Sequence, residues 1–449
     1  MANAANADFP TLLEAAVKSA QKAGADAADA IIWRSISLSV GERLGKLEKL
    51  QRSESQDLGL RVFIGKRQAI VSTSDFGKAA LEELAGRAVA MARVVPEDPY
   101  CGLADPAEIT KNPPRLDILD ETEPSEAQLT EMVREAEAVA RAVPGVTNSE
   151  GAEAGWGRSE IAMLTSTGFF GRYGQSHSGL SVAVLAGEGT GMERDYDYSS
   201  AVYFADLESA AKLGKNAGER AVRRLNPRKV ATKKVPILFD PRVSSSMIGH
   251  LLGAINGSSI ARGTSFLKTR MNEQVFAAGI EIVEDPHRAR GLRSRPFDGE
   301  GLATGRRALV EDGVLKTWLL DCRSARQLGL KSTGNATRGT SSPPSPGASN
   351  VHMAKGKVSR AALLKDVQRG FYVTEMMGSA VNGVTGDYSR GAAGFWIENG
   401  EMTFPVSEVT IAGNLNDMFK AITVADDLEF RYGIDAPTLR IDGMTLAGA

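Results

Sequence analysis

Cysteine and histidine are scarce in this chain of 449 residues, which contains 2 cysteines and 4 histidines. Cys101 and Cys322 stand far apart, which excludes a disulfide framework and a cysteine-rich zinc site and predicts two reduced thiols. The histidines are His177, His250, His287 and His352. Because a metal site needs ligands that converge, and these histidines are widely separated, the chain offers few ligands of its own for a metal.

No excess of one charge and no long apolar run is present. Lysine and arginine number 53 against 55 acidic residues, for a net charge of -2, so nucleic acid and membrane are not expected partners. Apolar runs fall short of the roughly 18 residues that span a bilayer, and the N-terminus lacks the features of a signal peptide. With 42% hydrophobic and 24% charged residues, we expect a cytoplasmic globular protein of several domains.

Common catalytic motifs are absent as well. No Gly-Lys pair is followed by the Ser or Thr of a phosphate-binding loop, and neither a GxSxG elbow nor a CxxC pair occurs. His250 falls in a predicted helix over 243–255, beside an apolar stripe, where a lone histidine is more typical of packing than of metal binding. These residues alone reveal no complete catalytic site and leave open whether the chain is an enzyme.

The N-terminal half contains a pattern that reads as one α-β-meander-α unit present twice. Helical spacing over 11–24 and 77–94 brackets four alternating, strand-like segments. The same order, again with four such segments, returns after Ser125, a good helix N-cap, and closes with a helical segment over 207–225. The pattern predicts a duplication, and chance recurrence of helix–meander–helix units is the alternative.

Two changes in composition suggest domain boundaries. Residues 95–124 are rich in proline and acidic residues, as expected of a linker, and a second break falls shortly before residue 230. We therefore predict a first α/β unit over 1–118, a second, repeated α/β unit over 119–229 and a C-terminal domain over 230–449.

The C-terminal part is rich in glycine and in dipeptides that favour tight type I′ hairpin turns. These dipeptides are Asp312-Gly313, Asn382-Gly383 and Asn399-Gly400. Helical patterns are limited to 243–255 and 359–370, residues 332–350 read as a loop, and the arginine-rich stretch 287–338 is expected to be a solvated face. The expected fold class is α+β: a duplicated α-β-meander-α N-terminal region followed by a large β-rich C-terminal domain.

Several long blocks, in order along the chain, are distinctive. They are residues 54–73, 263–267, 311–338, 382–401 and 405–415. Together they resemble the TldD/PmbA metalloprotease family, and specifically its PmbA (TldE) branch, and the resemblance extends from about residue 10 to the C-terminus.

The resemblance implies a cytosolic bacterial metalloprotease made of two related subunits. In that family the TldD-type subunit carries an HExxxH motif on a helix and a further ligand near its C-terminus. Two imidazoles and a thiolate would hold Zn²⁺, and the glutamate would activate the attacking water. The family is associated with unfolded or short peptides, with maturation of a peptide-antibiotic precursor, with proteolysis of an antitoxin-type protein and with the older name "modulator of DNA gyrase".

This sequence departs from the catalytic pattern of the family. Aligned on the block that begins at Gly263, the positions of the zinc motif are occupied by Ile248, Gly249 and Gly253. His250 is offset by two residues, or about 200° around a helix, so it cannot replace the first ligand. Residues 425–446 contain no cysteine or histidine. The resemblance therefore implies a non-catalytic subunit without zinc, paired with a TldD-type metalloprotease subunit that carries the zinc.

Four residues of the C-terminal domain are candidates for holding a peptide: Thr385, Gly386 and Asp387 in a glycine-rich hairpin, and Asn350. Glycine-rich hairpins allow a bound strand to approach closely, although the same residues can serve only to shape tight turns. Two other functions remain open. The chain could be an active metallopeptidase through an unrecognised site, or a homo-oligomeric peptide-binding protein.

Overall fold

The computed structural model describes residues 8–448, except the side chain of Ser379. The N-terminal region comprises α1 (Phe9–Lys22), β1 (Ala27–Arg43), β2 (Lys46–Ile64), β3 (Arg67–Thr73), α2 (Lys78–Val94), α3 (Glu126–Ala142), β4 (Val146–Thr165), β5 (Phe170–Ala186), β6 (Glu193–Ala201) and α4 (Ala210–Arg223). Short 3-10 turns occur at Gly189–Gly191 and Phe204–Asp206.

The six N-terminal strands form one antiparallel sheet in the order β3-β2-β1-β4-β5-β6. All four helices pack on the same face of this sheet, where Ile32 and Leu38 of β1 are buried. The alternate residues of β1 point to the opposite face, on which Ile31 packs against the C-terminal region and Ser37 is exposed. The sheet therefore has one helix-covered face and one face turned toward the rest of the protein.

Each N-terminal unit contains three strands between its helices, so the prediction of four was wrong. In the first unit the two middle segments form the single strand β2, which runs through Gly59 without a break. Gly59 is required for a different reason, because a side chain at this position would clash with the backbone of Thr340. In the second unit β5 likewise continues through Gly179. The duplication itself stays a prediction.

The C-terminal region is longer and richer in strands than in helices. Its elements are β7 (Lys233–Phe239), α5 (Pro241–Ala254), α6 (Gly257–Ala261), β8 (Ile282–Glu284), β9 (Arg307–Glu311), β10 (Val314–Leu315), α7 (Cys322–Leu328), β11 (Ala336–Thr337), β12 (Ser345–Pro346), β13 (Val351–Met353), α8 (Arg360–Lys365), β14 (Arg369–Val381), β15 (Asp387–Glu398), β16 (Glu401–Asn414), α9 (Leu415–Lys420), β17 (Ile422–Val424), β18 (Ile434–Asp435) and β19 (Leu439–Ala447).

The long C-terminal strands close into a barrel. They are ordered β16-β15-β14-β7-β19, and β16 pairs again with the end of β19, while the short strand β17 pairs with the beginning of β19 on the same edge. A second sheet has the order β10-β9-β8-β13-β18. One large apolar core joins the barrel, this sheet and α5. The α+β class and the strand-rich C-terminal region are therefore confirmed.

All three predicted hairpins form, but only two of them have the predicted tight type I′ turn. Asp312 and Gly313 have φ angles of 47° and 75°, and Asn399-Gly400 likewise has both residues at positive φ, as a type I′ turn requires. At Asn382-Gly383 the prediction of a tight turn was wrong, because the chain forms a five-residue loop over 382–386 between β14 and β15. The Asn382 side chain accepts hydrogen bonds from the next backbone N–H groups, which opens the turn.

The helix predicted over 359–370 is also shorter than expected. Ser359 caps α8, but the helix ends at Lys365, because residues 369–381 are taken into the barrel as β14. Residues 332–350 are irregular, as predicted, apart from the short strands β11 and β12.

The arginine-rich stretch 287–338 is not a solvated face. It faces the N-terminal sheet, and the fully buried side chain of Arg338 donates a hydrogen bond to Asp29 Oδ1 at 2.7 Å. Arg61 binds the same carboxylate, so one acidic and two basic groups meet in the interior. On the surface, Arg290 pairs with Asp117. The prediction failed because these arginines bridge the two halves of the protein.

The segment 95–124 is a fixed connection and not a free linker. Arg326 of α7 donates to the backbone oxygens of Tyr100 and Gly102, at 3.0 and 3.1 Å. Cys101 and Cys322 are both buried and free, in agreement with the prediction of two thiols. Within residues 8–448, none of the helices combines the length and apolar composition that crossing a membrane demands.

Candidate functional site: a groove over the N-terminal sheet

Helix α5 carries the positions at which the family resemblance places a zinc motif. Ile248 is fully buried in the C-terminal core, whereas Gly249 and Gly253 lie on the exposed face of the helix. A Cβ added at either glycine would meet no atom within 4 Å. Within residues 8–448, no three His, Cys, Asp or Glu side chains are grouped in a way that could hold a metal ion.

His250 lies on α5 between these exposed positions and the barrel. Its ring meets that of Tyr388 edge-on, with ring centroids 5.5 Å apart. Burial and the nearby charge of Arg390 lower the pKa of His250 to about 4, so the imidazole is neutral at neutral pH. Its Nε2 atom is buried and makes no hydrogen bond within the described part of the chain.

Asn350 is fully buried and is not accessible to a peptide. Its Nδ2 donates to the oxygens of Asp285 and Ser294, at 2.9 and 2.7 Å, while its Oδ1 accepts from the backbone N–H of Arg293 at 2.9 Å. The side chain therefore fixes the backbone of residues 285–294. Of the two roles considered for this residue, the geometry supports the structural one.

Thr385, Gly386 and Asp387 form a turn at one end of the barrel, in which Thr385 and Asp387 are exposed and Gly386 is buried. The Thr385 hydroxyl donates to Asp387 Oδ2 at 2.6 Å, and Asn414 Nδ2 donates to Asp387 Oδ1 at 3.0 Å. These two hydrogen bonds hold the pKa of Asp387 below its usual value. Gly386 has a φ of 83° and packs against Asn416, which leaves little room for a side chain. The three residues lie together, but Asn350 makes its contacts in another part of the domain.

A groove that sequence reasoning missed follows the open face of the N-terminal sheet. Its floor is built from small residues that the strand register aligns in rows across β1, β4, β5 and β6. One row consists of Ser39, Gly155, Gly179 and Ser200. The neighbouring rows bring Ser37 beside Gly157 and His177, and Glu153 beside Ser181 and Tyr198.

Three adjoining cavities, of about 260, 410 and 490 Å³, make up this groove. The first two share Ser37, Gly157 and His177, and the last two share Ser181 and Tyr198. The groove is therefore continuous from the contact with the C-terminal region to the β6 side of the sheet. Its length and low floor suit an extended chain better than a compact small molecule.

The fold does not require the glycines of the floor. A Cβ on Gly155 or Gly157 would come no closer than 3.5 Å to the neighbouring strand, which is ordinary van der Waals contact. Neither glycine has a positive φ. Small residues at these positions leave the groove open, and larger side chains there would fill it.

At the β6 end the groove reaches α5. A further cavity of about 450 Å³ shares Tyr196 and Tyr198 with the groove and is also lined by Arg242 and Ser246 of α5. Tyr198 packs against Tyr432 with ring centroids 5.1 Å apart. The groove thus connects the open sheet face with α5, the helix on which the family resemblance places the zinc motif.

Family models match most of the chain. The model for domain 1 of PmbA/TldA metallopeptidases matches residues 28–92, the central-domain model matches 119–225 and the C-terminal-domain model matches 232–448. The metalloprotease PmbA of Escherichia coli O157:H7 is 37% identical over 442 residues, which cover 97% of this chain and 96% of that protein. The chain belongs to the PmbA/TldD metallopeptidase family.

Solved structures of similar proteins share the whole fold of this PmbA-type chain. A Bacteroides thetaiotaomicron protein assigned as a modulator of DNA gyrase superimposes with a TM-score of 0.91 at 28% identity, covering 98% of this chain and 99% of that one. The TldE of Thermococcus kodakarensis superimposes with a TM-score of 0.86 at 20% identity, covering 97% and 99%. The resemblance to the PmbA (TldE) branch is confirmed.

A signal for the groove of this PmbA-family chain was present in the sequence. In residues 34–41 (RSISLSVG) apolar residues alternate with serine and glycine, and residues 155–157 (GWG) repeat the pattern. An alternation with small residues on one face predicts a strand whose second face is neither packed nor highly charged. Period-two serine and glycine were interpreted only as strand signals, so the groove was not predicted.

Proposed function

We propose that this chain is the non-catalytic subunit of a cytoplasmic TldD/TldE-type metalloprotease and holds extended peptide segments in its groove. The observation that carries the proposal is the small-residue floor that leads to α5, where Ile248, Gly249 and Gly253 stand in place of two histidines and a glutamate. Zinc and the general base would come from the TldD-type partner. Short or unfolded peptides, including antibiotic precursors and antitoxin-type proteins, are the proposed substrates.

Side chains on the floor of the groove can form hydrogen bonds with the backbone of a peptide, so a free strand edge is not needed. Ser37 and Ser181 are exposed on the floor, and a hydroxyl can both donate to and accept from the main chain of a peptide. The outer edge of β6 is partly occupied, because Arg220 and Arg431 donate to the backbone oxygens of Tyr196 and Tyr198, both at 3.2 Å. We therefore propose that the peptide lies over the sheet face and is not added as a further strand at β6.

The experiment that tests the subunit assignment mixes this chain with a TldD-type subunit and analyses the mixture by size-exclusion chromatography with metal analysis of each chain. We expect one stable complex with zinc only in the partner, since obligate interfaces commonly bury more than about 2,000 Å². Separate monomers would contradict the assignment. About one zinc per isolated chain after dialysis, or peptide cleavage by the isolated chain, would favour an active metallopeptidase instead.

Filling the groove tests the peptide-binding role. In the variant Gly155→Leu/Gly157→Leu we expect a folded protein, because each added Cβ has room, and at least about tenfold weaker binding of an extended peptide, because the leucines occupy the floor. Fluorescence anisotropy of a labelled peptide measures the binding, and thermal unfolding verifies the fold. Gly86→Leu, on the exposed face of α2 and far from the groove, is the matched control, because an added side chain there also meets no neighbouring atom. Unchanged peptide binding in the filled variant would contradict the proposal.

A further inference from the structure

The cavity beside α5 is lined by three arginines and one glutamate. Two of its charged side chains are already paired: Arg242 contacts Asp195 at 2.8 Å, and Glu375 contacts Arg224. Arg242 also contacts Asp240, and Arg224 also contacts Glu193, so carboxylates surround both of these guanidinium groups. They leave two other arginines of the lining to consider.

Arg293 and Arg390 both line this cavity. Among the side chains that the structure describes, no carboxylate lies within the 4.0 Å of an ion pair with either guanidinium. The Nε of Arg390 is in addition buried and makes no hydrogen bond within the same described set. Arg293 is exposed to solvent, so the cost of a buried polar atom without a partner falls on Arg390, and an anion bound there would relieve it.

The backbones of both arginines are fixed by their neighbours. Arg390 follows Tyr388 by two residues on β15, so its side chain leaves the strand on the face that meets α5. Arg293 receives its position from the buried side chain of Asn350, which binds its backbone N–H, and its stem passes close to Gly433. Asn350 is therefore a positioning residue for this cavity, although no peptide can reach it.

The remaining wall supplies hydrogen-bond donors. Tyr198 and Tyr432 are adjacent, and burial raises the pKa of both phenols, so they stay protonated and able to donate. Two free guanidinium groups and phenolic donors form a set suited to a planar carboxylate, which arginine can bind with two parallel hydrogen bonds. His250 adds no charge, since its imidazole is neutral at neutral pH.

We propose that this cavity is a carboxylate subsite at the α5 end of the groove, where Arg293 and Arg390 bind an anionic group of the peptide. The inference rests on the proposed function, because the groove delivers the peptide to this cavity through Tyr196 and Tyr198. The carboxylate can be the C-terminus of a peptide or the side chain of an acidic residue. The subsite therefore selects peptides with a negative charge at this point.

The test compares three fluorescein-labelled octapeptides of glycine, serine and alanine: one with a free C-terminal carboxylate, its C-terminal amide, and the amide with glutamate as the last residue. We expect the first or the third to bind the full chain about tenfold more tightly than the plain amide. Which of the two gains affinity identifies the source of the carboxylate. In Arg293→Gln/Arg390→Gln the gain should disappear, whereas Arg390→Lys should keep part of it.

Arg87→Gln is the matched control, because this exposed arginine of α2 lies outside the groove. Equal binding of all three peptides by the unmodified chain, with the loss of all binding in the filled-groove variant, would overturn the subsite and leave the proposed function intact. If no peptide binds, the proposed function fails. The subsite is then tested with N-acetylglycine and N-acetylglycinamide, whose binding is measured by tyrosine fluorescence. Quenching by N-acetylglycine but not by the amide, and only when both arginines are present, supports the subsite. Any other result overturns it.

Discussion

Asp29→Asn is expected to lower the free energy of unfolding by about 3–5 kcal/mol, the cost of breaking a buried ion pair. The side chains of Asp29 and Arg338 are fully buried and that of Arg61 is 4% exposed, so loss of the charge leaves two guanidinium groups in the interior without their counterion. The Nε and Nη2 atoms of Arg338 have no other partner in the described part of the protein. Arg338 belongs to the C-terminal region and Asp29 to the N-terminal sheet, so the substitution should also weaken the contact between these two parts of the protein.

Urea denaturation followed by tryptophan fluorescence measures this effect. Glu14→Gln, which breaks an exposed pair with Lys18 at 2.8 Å, is the control and should change the stability by less than about 1 kcal/mol. Although burial opposes its ionisation, Arg338 and Arg61 hold the pKa of Asp29 below the usual value. The difference in stability between the unmodified protein and Asp29→Asn should therefore be largest above the pH range in which carboxyl groups ordinarily titrate. It should shrink as the pH falls through the lowered pKa of Asp29. Equal stability of Asp29→Asn and Glu14→Gln would contradict the prediction.

The variant Ile248→His/Gly249→Glu/Gly253→His restores the zinc-motif residues, and we expect it to lose stability and to gain no peptidase activity. Ile248 is fully buried among apolar side chains, so an imidazole there leaves polar atoms without partners, at a cost of about 3 kcal/mol or more. Residues five apart stand about 140° from each other on a helix, so the two imidazoles do not share one face. Catalytic zinc sites normally use three protein ligands, and a third is missing.

The double variant Gly249→Glu/Gly253→His separates the two effects. Both glycines face open space, and replacing glycine within a helix is favourable by up to about 1 kcal/mol, so this variant should be as stable as the unmodified chain or more so. Thermal unfolding, zinc analysis and a peptide-cleavage assay are made on both variants and on the unmodified chain. Peptide cleavage by the isolated triple variant would show that the rest of a catalytic site is present and that the chain is a silenced protease.

The sequence predicted those parts of the fold that depend on local interactions. The helices α1, α2, α3 and α5 lie within a few residues of their predicted bounds, and the Asp312-Gly313 and Asn399-Gly400 turns form as their preference for positive φ requires. Failures occurred where distant parts of the chain decide the outcome. Two strands were predicted over 46–56 and 58–65, but the chain continues through Asp57 as one strand, and Gly59 within it lies directly against the backbone of Thr340.

The candidate site was predicted less well, for the same reason. Asn350 is a polar residue of a predicted loop, and only its buried contacts with residues 285–294 show that it acts through the backbone. The groove arises from four strands that are widely separated in sequence, and no single strand reveals that its small residues are aligned with those of its neighbours. Neither register nor burial can be obtained from one strand alone.

The strand order also determines how the protein must fold during synthesis. β1 ends at Arg43, but its central partner β4 begins only at Val146, so at a rate of about 5–20 residues per second β1 waits on the order of 10 s for that partner. β7 pairs with β14 and with β19, which ends at Ala447, so the barrel cannot close until almost the whole chain has been made. The apolar residues of β7 are exposed until β19 has been synthesised. A nascent chain of this design needs protection from aggregation at the ribosome, and shortening it at the C-terminus by even one strand should leave the barrel open.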